Sequence, residues 1–339
     1  MYAERKAFYQ QIETERKSKV LAYVTGDRPG LETQIHHEVL DHMADHLDTF
    51  GLPEKISLII YSRGGSTLAG WSIANLIRQF CKKFEVIVPG KAHSAATLIA
   101  LAGETIVMTK QATLGPIDPS TNSPLNPQVP GGAVNARLPV SVEEVIGYLE
   151  LAKNQAQLKG KDALASAFLK LADQIHPISL GSVYRARTQI KMLAKRLLSN
   201  HMKNQKDVER VVSFVCSESG SHDYAIFRRE AKEELKLPIE KPTQEVYDNV
   251  LKPLHVDIRA ELKLNERFDH GLFLGNQNQA PYSFKRGLIE SITGGQHAFT
   301  SEGTITKKTA QVPPGVLVVT GFEDQRTFEA WKYTPPNAP

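Results

Sequence analysis

Two short segments hold the residues whose types and spacing could do chemistry. The first is Ser62-Arg63-Gly64-Gly65, which closes the apolar run 56–61. Two glycines there let the backbone turn sharply and present N–H groups with no side chain in the way. The second is Gly90-Lys91-Ala92-His93-Ser94-Ala95-Ala96-Thr97, which puts a serine among small residues where a strand pattern gives way to a helix pattern. A serine at a helix start stands where a developing negative charge is favoured. Taken alone, Ser94 also reads as an ordinary helix N-cap.

These segments need elements to hold them. A polar helix is predicted over 1–17 and a short strand over 19–24, followed by the turn 26–30. Residues 32–50 carry helical spacing through Ile35, Val39, Met43 and Leu47. Strands are predicted over 56–61, 85–90 and 105–110, with helices over 68–80 and 94–101 between them. Continuous apolar strands alternating with helices fit a buried, mostly parallel sheet, and so an α/β fold. Residues 119–140, rich in Pro, Gly and Asn, form a long connection of the kind that is often functional.

From there to about 256 the pattern is helical. A capping box, Ser141 with Glu144, opens a helix over 142–158. Further helices are predicted over 163–175, 178–198, 205–217 and 242–251. Residues 284–332 show β alternation with turns at TGGQ and PPG, and 315–323 is the clearest strand.

The two segments resemble the Clp protease/crotonase superfamily, above all its serine-peptidase branch, which is similar to signal peptide peptidase A and the NfeD-associated serine protease. That branch carries a Ser-Pro-Gly-Gly segment and a small-residue segment around the nucleophile. Here arginine, Arg63, stands in place of the proline, and the spacing from Gly65 to Ser94 is 94 − 65 = 29 positions, as the resemblance to the Clp subunit implies. GPIDP (115–119), HPISLG (176–181) and SHDYAIFRREA (221–231) look most like the serine dehydrogenase proteinase family. The resemblance covers roughly residues 19–235. It implies a Clp protease/crotonase-like ββα superhelix with a helical C-terminal extension. It also implies Ser94 as nucleophile and the backbone N–H groups of Gly65 and Ala95 as the oxyanion hole.

A serine nucleophile needs a neighbouring base. In the Clp subunit a histidine follows on the next strand, but here that place falls on Ile117 or Asp118. In the NfeD-associated protease a lysine opens the next helix, which here begins Pro139-Val140-Ser141. Three candidates stay open. His176 precedes Pro177 at a helix start, His222 lies in a loop before Asp223, and Lys153 sits on a helix and would need burial to act as a base. His93 adjoins Ser94, but its side chain should point away from the hydroxyl. Asp118 could orient a histidine or cap a turn.

Composition narrows the class. A net charge of +4 across 339 residues, with no dense basic patch, argues against a nucleic-acid partner. The longest apolar stretch, 95–102, is too short for a membrane span, and the charged N-terminus lacks the apolar segment of a secretion signal. The two cysteines suggest no disulfide framework and fit a cytoplasmic setting. No HExxH, CxxC or Walker pattern is present, so neither metal nor nucleotide cofactor is indicated.

The expected function is a serine endopeptidase acting on peptides or unfolded proteins. The alternatives are an acyl-CoA-binding crotonase-type enzyme and a non-catalytic Clp-like scaffold. The expected segments are an N-terminal helix (1–18), the catalytic core (19–200), a helical extension (201–260) and a β-rich or irregular end (261–339). A homo-oligomer is expected from the resemblance and from the apolar stripe Ile178, Val183, Ile190 and Leu197.

Overall fold

The computed structural model of the chain describes residues 1–118, 120–158, 160–218, 221, 223–311 and 318–337. Helix α1 (Tyr2–Arg16) leads into β1 (Lys19–Thr25), α2 (Val39–Asp48), β2 (Lys55–Tyr61), α3 (Thr67–Gln79) and β3 (Lys83–Val88). Then come β4 (Lys91–Ala92), α4 (Ala95–Ala100), β5 (Thr105–Met108), β6 (Thr113–Leu114), β7 (Ser120–Thr121) and β8 (Val140–Ser141). The helical region holds α5 (Val142–Glu150), α6 (Lys161–Gln174), α7 (Pro177–Ser199) and α8 (Gln205–Ser213). The rest is β9 (Ile226–Phe227), α9 (Arg228–Glu233), β10 (Ile239–Glu240), α10 (Gln244–Val246), α11 (Lys252–Leu262), α12 (His270–Leu274), β11 (Gln279–Ser291), β12 (Gly295–Gln311) and β13 (Val318–Thr334).

The main sheet has the order β10-β5-β3-β2-β1-β11-β12-β13. Its first five strands are parallel, and the last three join antiparallel through β1 and β11. Strands β1 and β2 bury every residue but their first, because helices cover both faces. Along β1, Leu21 and Tyr23 face the core shared with α2, α3, α4 and α7. Val20, Ala22 and Val24 face the opposite core, built with Tyr9 of α1 and Leu254 and Ile258 of α11. A second, three-stranded sheet, β4-β6-β9, stands at the carboxyl ends of the parallel strands.

Helix α1 docks through charge as well as apolar area. Arg5 is fully buried, and its Nε donates to Glu290 Oε2 on β11 at 2.9 Å. Tyr9 Oη and Gln296 Nε2 also donate to the Glu290 carboxylate, and Arg5 reaches Asp257 and Glu261 on α11. The buried ion is thus paired and hydrogen-bonded, as burial requires.

Several expectations are corrected. The helix over 32–50 begins only at Val39. Ile35, which matched the helical period, instead pairs its backbone with Gly65, and an apolar residue recurring by period cannot reveal such a bridge. The helix over 142–158 is α-helical to Glu150 and widens into a π-turn over Leu151–Gln155. Of the apolar stripe expected to exceed what one core can bury, Val183, Ile190 and Leu197 are buried within the chain, and only Ile178 is exposed. The helix predicted to end near 251 continues through Pro253, which is tolerated in a first turn, as α11. The PPG turn lies outside the described residues. No helix among the described residues is long and apolar enough to cross a membrane.

Candidate active site

Ser94 sits between β4 and α4 with φ 53° and ψ −117°, a conformation that residues with a side chain rarely adopt. It precedes the helix, yet its hydroxyl makes no capping hydrogen bond. The contrast with other caps is direct. Ser66 accepts from Ala69 N–H at the start of α3, and Ser141 accepts from Glu144 N–H at the start of α5. An N-cap role therefore does not account for Ser94, and strain of this kind concentrates at functional sites.

The turn is held from beneath. Buried Thr97 holds its Oγ1 2.7 Å from both the Ala92 and the Gly115 carbonyl oxygens, its single O–H shared between them, and accepts from Gly115 N–H at 3.1 Å. The adjacent strand end is tied in by a parallel bridge between Ser62 and Ala92. Ser62 is itself buried, and its Oγ accepts from Gly64 N–H (2.9 Å) and from the Thr25 hydroxyl (2.7 Å).

The glycine pair then meets the serine. Gly64 has φ 110°, and a Cβ built on it would lie 2.7 Å from Ser94 Cβ and 2.9 Å from the His93 carbonyl oxygen. Gly65 has φ 148°, and its Cβ would fall 2.4 Å from the Ile35 carbonyl oxygen. The Ile35 N–H donates to the Gly64 carbonyl, and the Ser66 N–H donates to the Ile35 carbonyl. In a parallel bridge so centred on Gly65, the Gly65 N–H points away from Ile35. Ala95 is the first residue of α4, where an amide N–H has no intrahelical acceptor.

These parts border a cleft of about 490 Å³ whose lining includes Asp27, Glu32, Arg63, Gly64, Gly65, Ser94, Asp118 and Asn122. Asp27 is buried and takes hydrogen bonds from Tyr61 Oη (2.9 Å) and Lys91 Nζ (2.6 Å). Burial first, and then the Asp27 charge and hydrogen bond, push the Tyr61 hydroxyl far above its ordinary range. Asp118 accepts from the Ser141 hydroxyl at 3.3 Å.

The candidate bases separate in space. His176 is exposed, and its Nδ1 accepts from Ile178 N–H at 3.2 Å as the N-cap of α7; it does not line the cleft. Lys153 is exposed on the π-turn and likewise does not line the cleft. His222 lies outside the described residues. His93 bonds to Thr113 Oγ1 at 2.9 Å, with its ring lying against Gly115, so it is directed along β6. The sequence marked the glycine pair as the turn, but not the buried hydroxyls of Ser62 and Thr97 that hold it, since their partners Thr25 and Gly115 lie elsewhere in the chain.

Residues 49–130 match the model of a family described as ClpP-like SDH-type serine proteinases. A protein of Methanocaldococcus jannaschii, itself uncharacterized, is 32% identical over 181 residues, covering 53% of this chain and 52% of that protein. A second protein of the same organism is 45% identical over 64 residues, covering 19% of this chain and 22% of its own length. The chain thus spans about half the length of the first relative and about a fifth of the second. Among solved structures, ClpP1 from Listeria monocytogenes is 15% identical, with a TM-score of 0.37 over 70% of this chain and 98% of that one, too low a score to carry an argument. The resemblance to ClpP therefore rests on the matched segment, which lies within a parallel sheet flanked by helices and a small second sheet. From the approach to β2, through the glycine pair and Ser94, to the loop beyond β7, residues 49–130 are thus similar to the ClpP-like SDH-type serine proteinases.

Proposed function

We propose that the chain is a serine endopeptidase of peptides or unfolded proteins, with Ser94 as nucleophile and the N–H groups of Gly65 and Ala95 as the oxyanion hole. The observation that carries this is the strained backbone of Ser94, whose hydroxyl makes no capping bond, against the side-chain-free Gly64. Attack of Ser94 Oγ on a carbonyl bound in the cleft makes a tetrahedral oxyanion. Two backbone donors preorganised at that oxygen lower the barrier by several kcal/mol.

The base we assign is His222. His176 is committed to capping α7, and Lys153 is exposed to water. The chain just beyond His222 is tied to the site, since Ile226 of β9 pairs with Leu114 of β6, the strand that leads into Asp118.

We also place the protein in the cytoplasm as a homo-oligomer. Cys81 and Cys216 are free thiols, which fits a reducing compartment. Exposed Leu151, Leu169, Ile178 and Tyr184, on or beside α5, α6 and α7, are apolar area suited to a neighbouring copy.

The test is hydrolysis of unfolded casein and of short fluorogenic peptides. Ser94→Ala should be inactive, His222→Gln should lose at least about a hundredfold, and His176→Gln should retain activity. Full activity in Ser94→Ala would remove Ser94 as the nucleophile. Loss in His176→Gln with none in His222→Gln would move the base. Turnover of acyl-CoA thioesters without peptide hydrolysis would favour the crotonase-type alternative.

A further inference from the structure

Outside the cleft that Ser94 lines, three imidazoles and a carboxylate gather where α2 meets the C-terminal strands. His42 and Asp45, one helical turn apart on α2, approach His297 of β12 so that one donor atom from each lies within 4.8 Å of the others. The His42 and His297 rings stack with centroids 4.6 Å apart and planes 27° apart. Trp331 and Tyr333 of β13 close the sides. We propose that His42, Asp45 and His297 form a binding site for a divalent transition-metal ion, Zn2+ being the best fit.

The chemistry of the donors favours such an ion. Imidazole nitrogens with one carboxylate oxygen suit Zn2+ and its neighbours, whereas Mg2+ and Ca2+ take oxygen ligands. Bonds of about 2.0–2.1 Å in a tetrahedron set donors about 3.4 Å apart. Asp45 is exposed and His42 half-exposed, so both side chains have room to close that distance. Water completes the fourth position.

His46 supplies the support that metal-bound histidines usually have. It is fully buried; its Nε2 is 3.0 Å from His297 Nδ1, and its Nδ1 is 2.7 Å from Ser291 Oγ. A neutral imidazole carries a single ring N–H. When that N–H bonds Ser291, His46 Nε2 accepts from His297 Nδ1–H. His297 then keeps an Nε2 lone pair for the metal. The arrangement orients one ligand before any ion arrives, and the ion would join α2 to strands more than two hundred residues later in the chain.

The test strips the purified chain with a chelator and titrates it with ZnCl2 and, separately, CoCl2. Binding is followed by calorimetry, by Co2+ visible absorption and by thermal unfolding. One Zn2+ per chain and a higher Tm with Zn2+ are expected. His42→Ala and Asp45→Asn should each weaken binding by at least about tenfold and abolish the Tm gain, while melting like the parent in chelator. His36→Ala, on an exposed histidine outside the cluster, should change nothing. The proposal is overturned if Zn2+ does not bind at micromolar concentration. It is also overturned if binding survives both substitutions or is lost in His36→Ala.

Discussion

The Cβ of Ser94 lies where any side chain on Gly64 would have to go: a methyl built there would stand 2.7 Å from it. Strand end and helix start thus approach as closely as a glycine backbone permits. That approach brings the Gly64-Gly65 amides beside the serine.

Gly64→Ala tests the approach. Its methyl would meet Ser94 Cβ and, at 2.9 Å, the His93 carbonyl oxygen, and alanine is strained at a φ of 110°. Peptidase activity is expected to fall by two orders of magnitude or more, the scale of one lost oxyanion donor. Stability should drop by about 1–3 kcal/mol, with the circular dichroism spectrum unchanged. Parent-level turnover would show that the close approach does not matter.

Ser94→Gly separates function from strain. Glycine adopts φ 53°, ψ −117° without the clash a side chain brings. The variant should be inactive yet more stable by about 1 kcal/mol, the strain relieved less the added entropy of unfolded glycine. Ser94→Ala keeps the Cβ and should show no such gain. Equal denaturant midpoints for the glycine and alanine variants would mean that the turn is not strained.

The acid response should follow the ion pairs that dock α1. Burial pushes the Glu261 carboxyl up, but the charge of Arg5 and the hydrogen bond from Lys285 outweigh it and hold it below the usual carboxylate range. Hydrogen bonds from Arg16 hold Glu240 down in the same way. Groups depressed in the folded state stabilise it fully above the unfolded value of about 4.3, and that stability is lost as pH falls through their folded values. These pairs should therefore add no slope to Tm from pH 7 to about 5 and a decline below about 4.5. That decline comes on top of an earlier loss that begins near pH 6.5, because burial lowers the imidazoles of His201 and His255 and the unfolded chain protonates them first. Arg5→Met should be less stable by about 3–5 kcal/mol at pH 7, because Glu290 keeps its burial without its partner. Its acid decline should also be shallower. An identical pH slope in both proteins would contradict the assignment.

Much of the core was legible because its signals are local. The β2 run, the glycine pair and the small residues around Ser94 each declare themselves within a few positions. The parallel order followed from apolar strands alternating with helices. What stayed hidden depends on distant partners. Ile35 matched a helical period but pairs with Gly65, and His176 looked free at a helix start until its Nδ1 was found capping Ile178. The last strands gave clear alternation, yet nothing local showed that β11 would extend the sheet at β1. The histidine cluster has no sequence spacing to announce it, since His42 and Asp45 lie on α2 and the third ligand, His297, comes from β12 far along the chain.

The peptidase reading turns on whether the Ser94 hydroxyl reacts as a nucleophile, and a fluorophosphonate probe measures that directly. The folded protein is incubated with the probe, digested, and the adduct mapped by mass spectrometry beside Ser94→Ala. A stoichiometric adduct on Ser94, absent from the variant and from heat-unfolded protein, is the expected result. No adduct on Ser94 in folded protein that hydrolyses peptides, or an adduct on another serine that persists in Ser94→Ala, would contradict it.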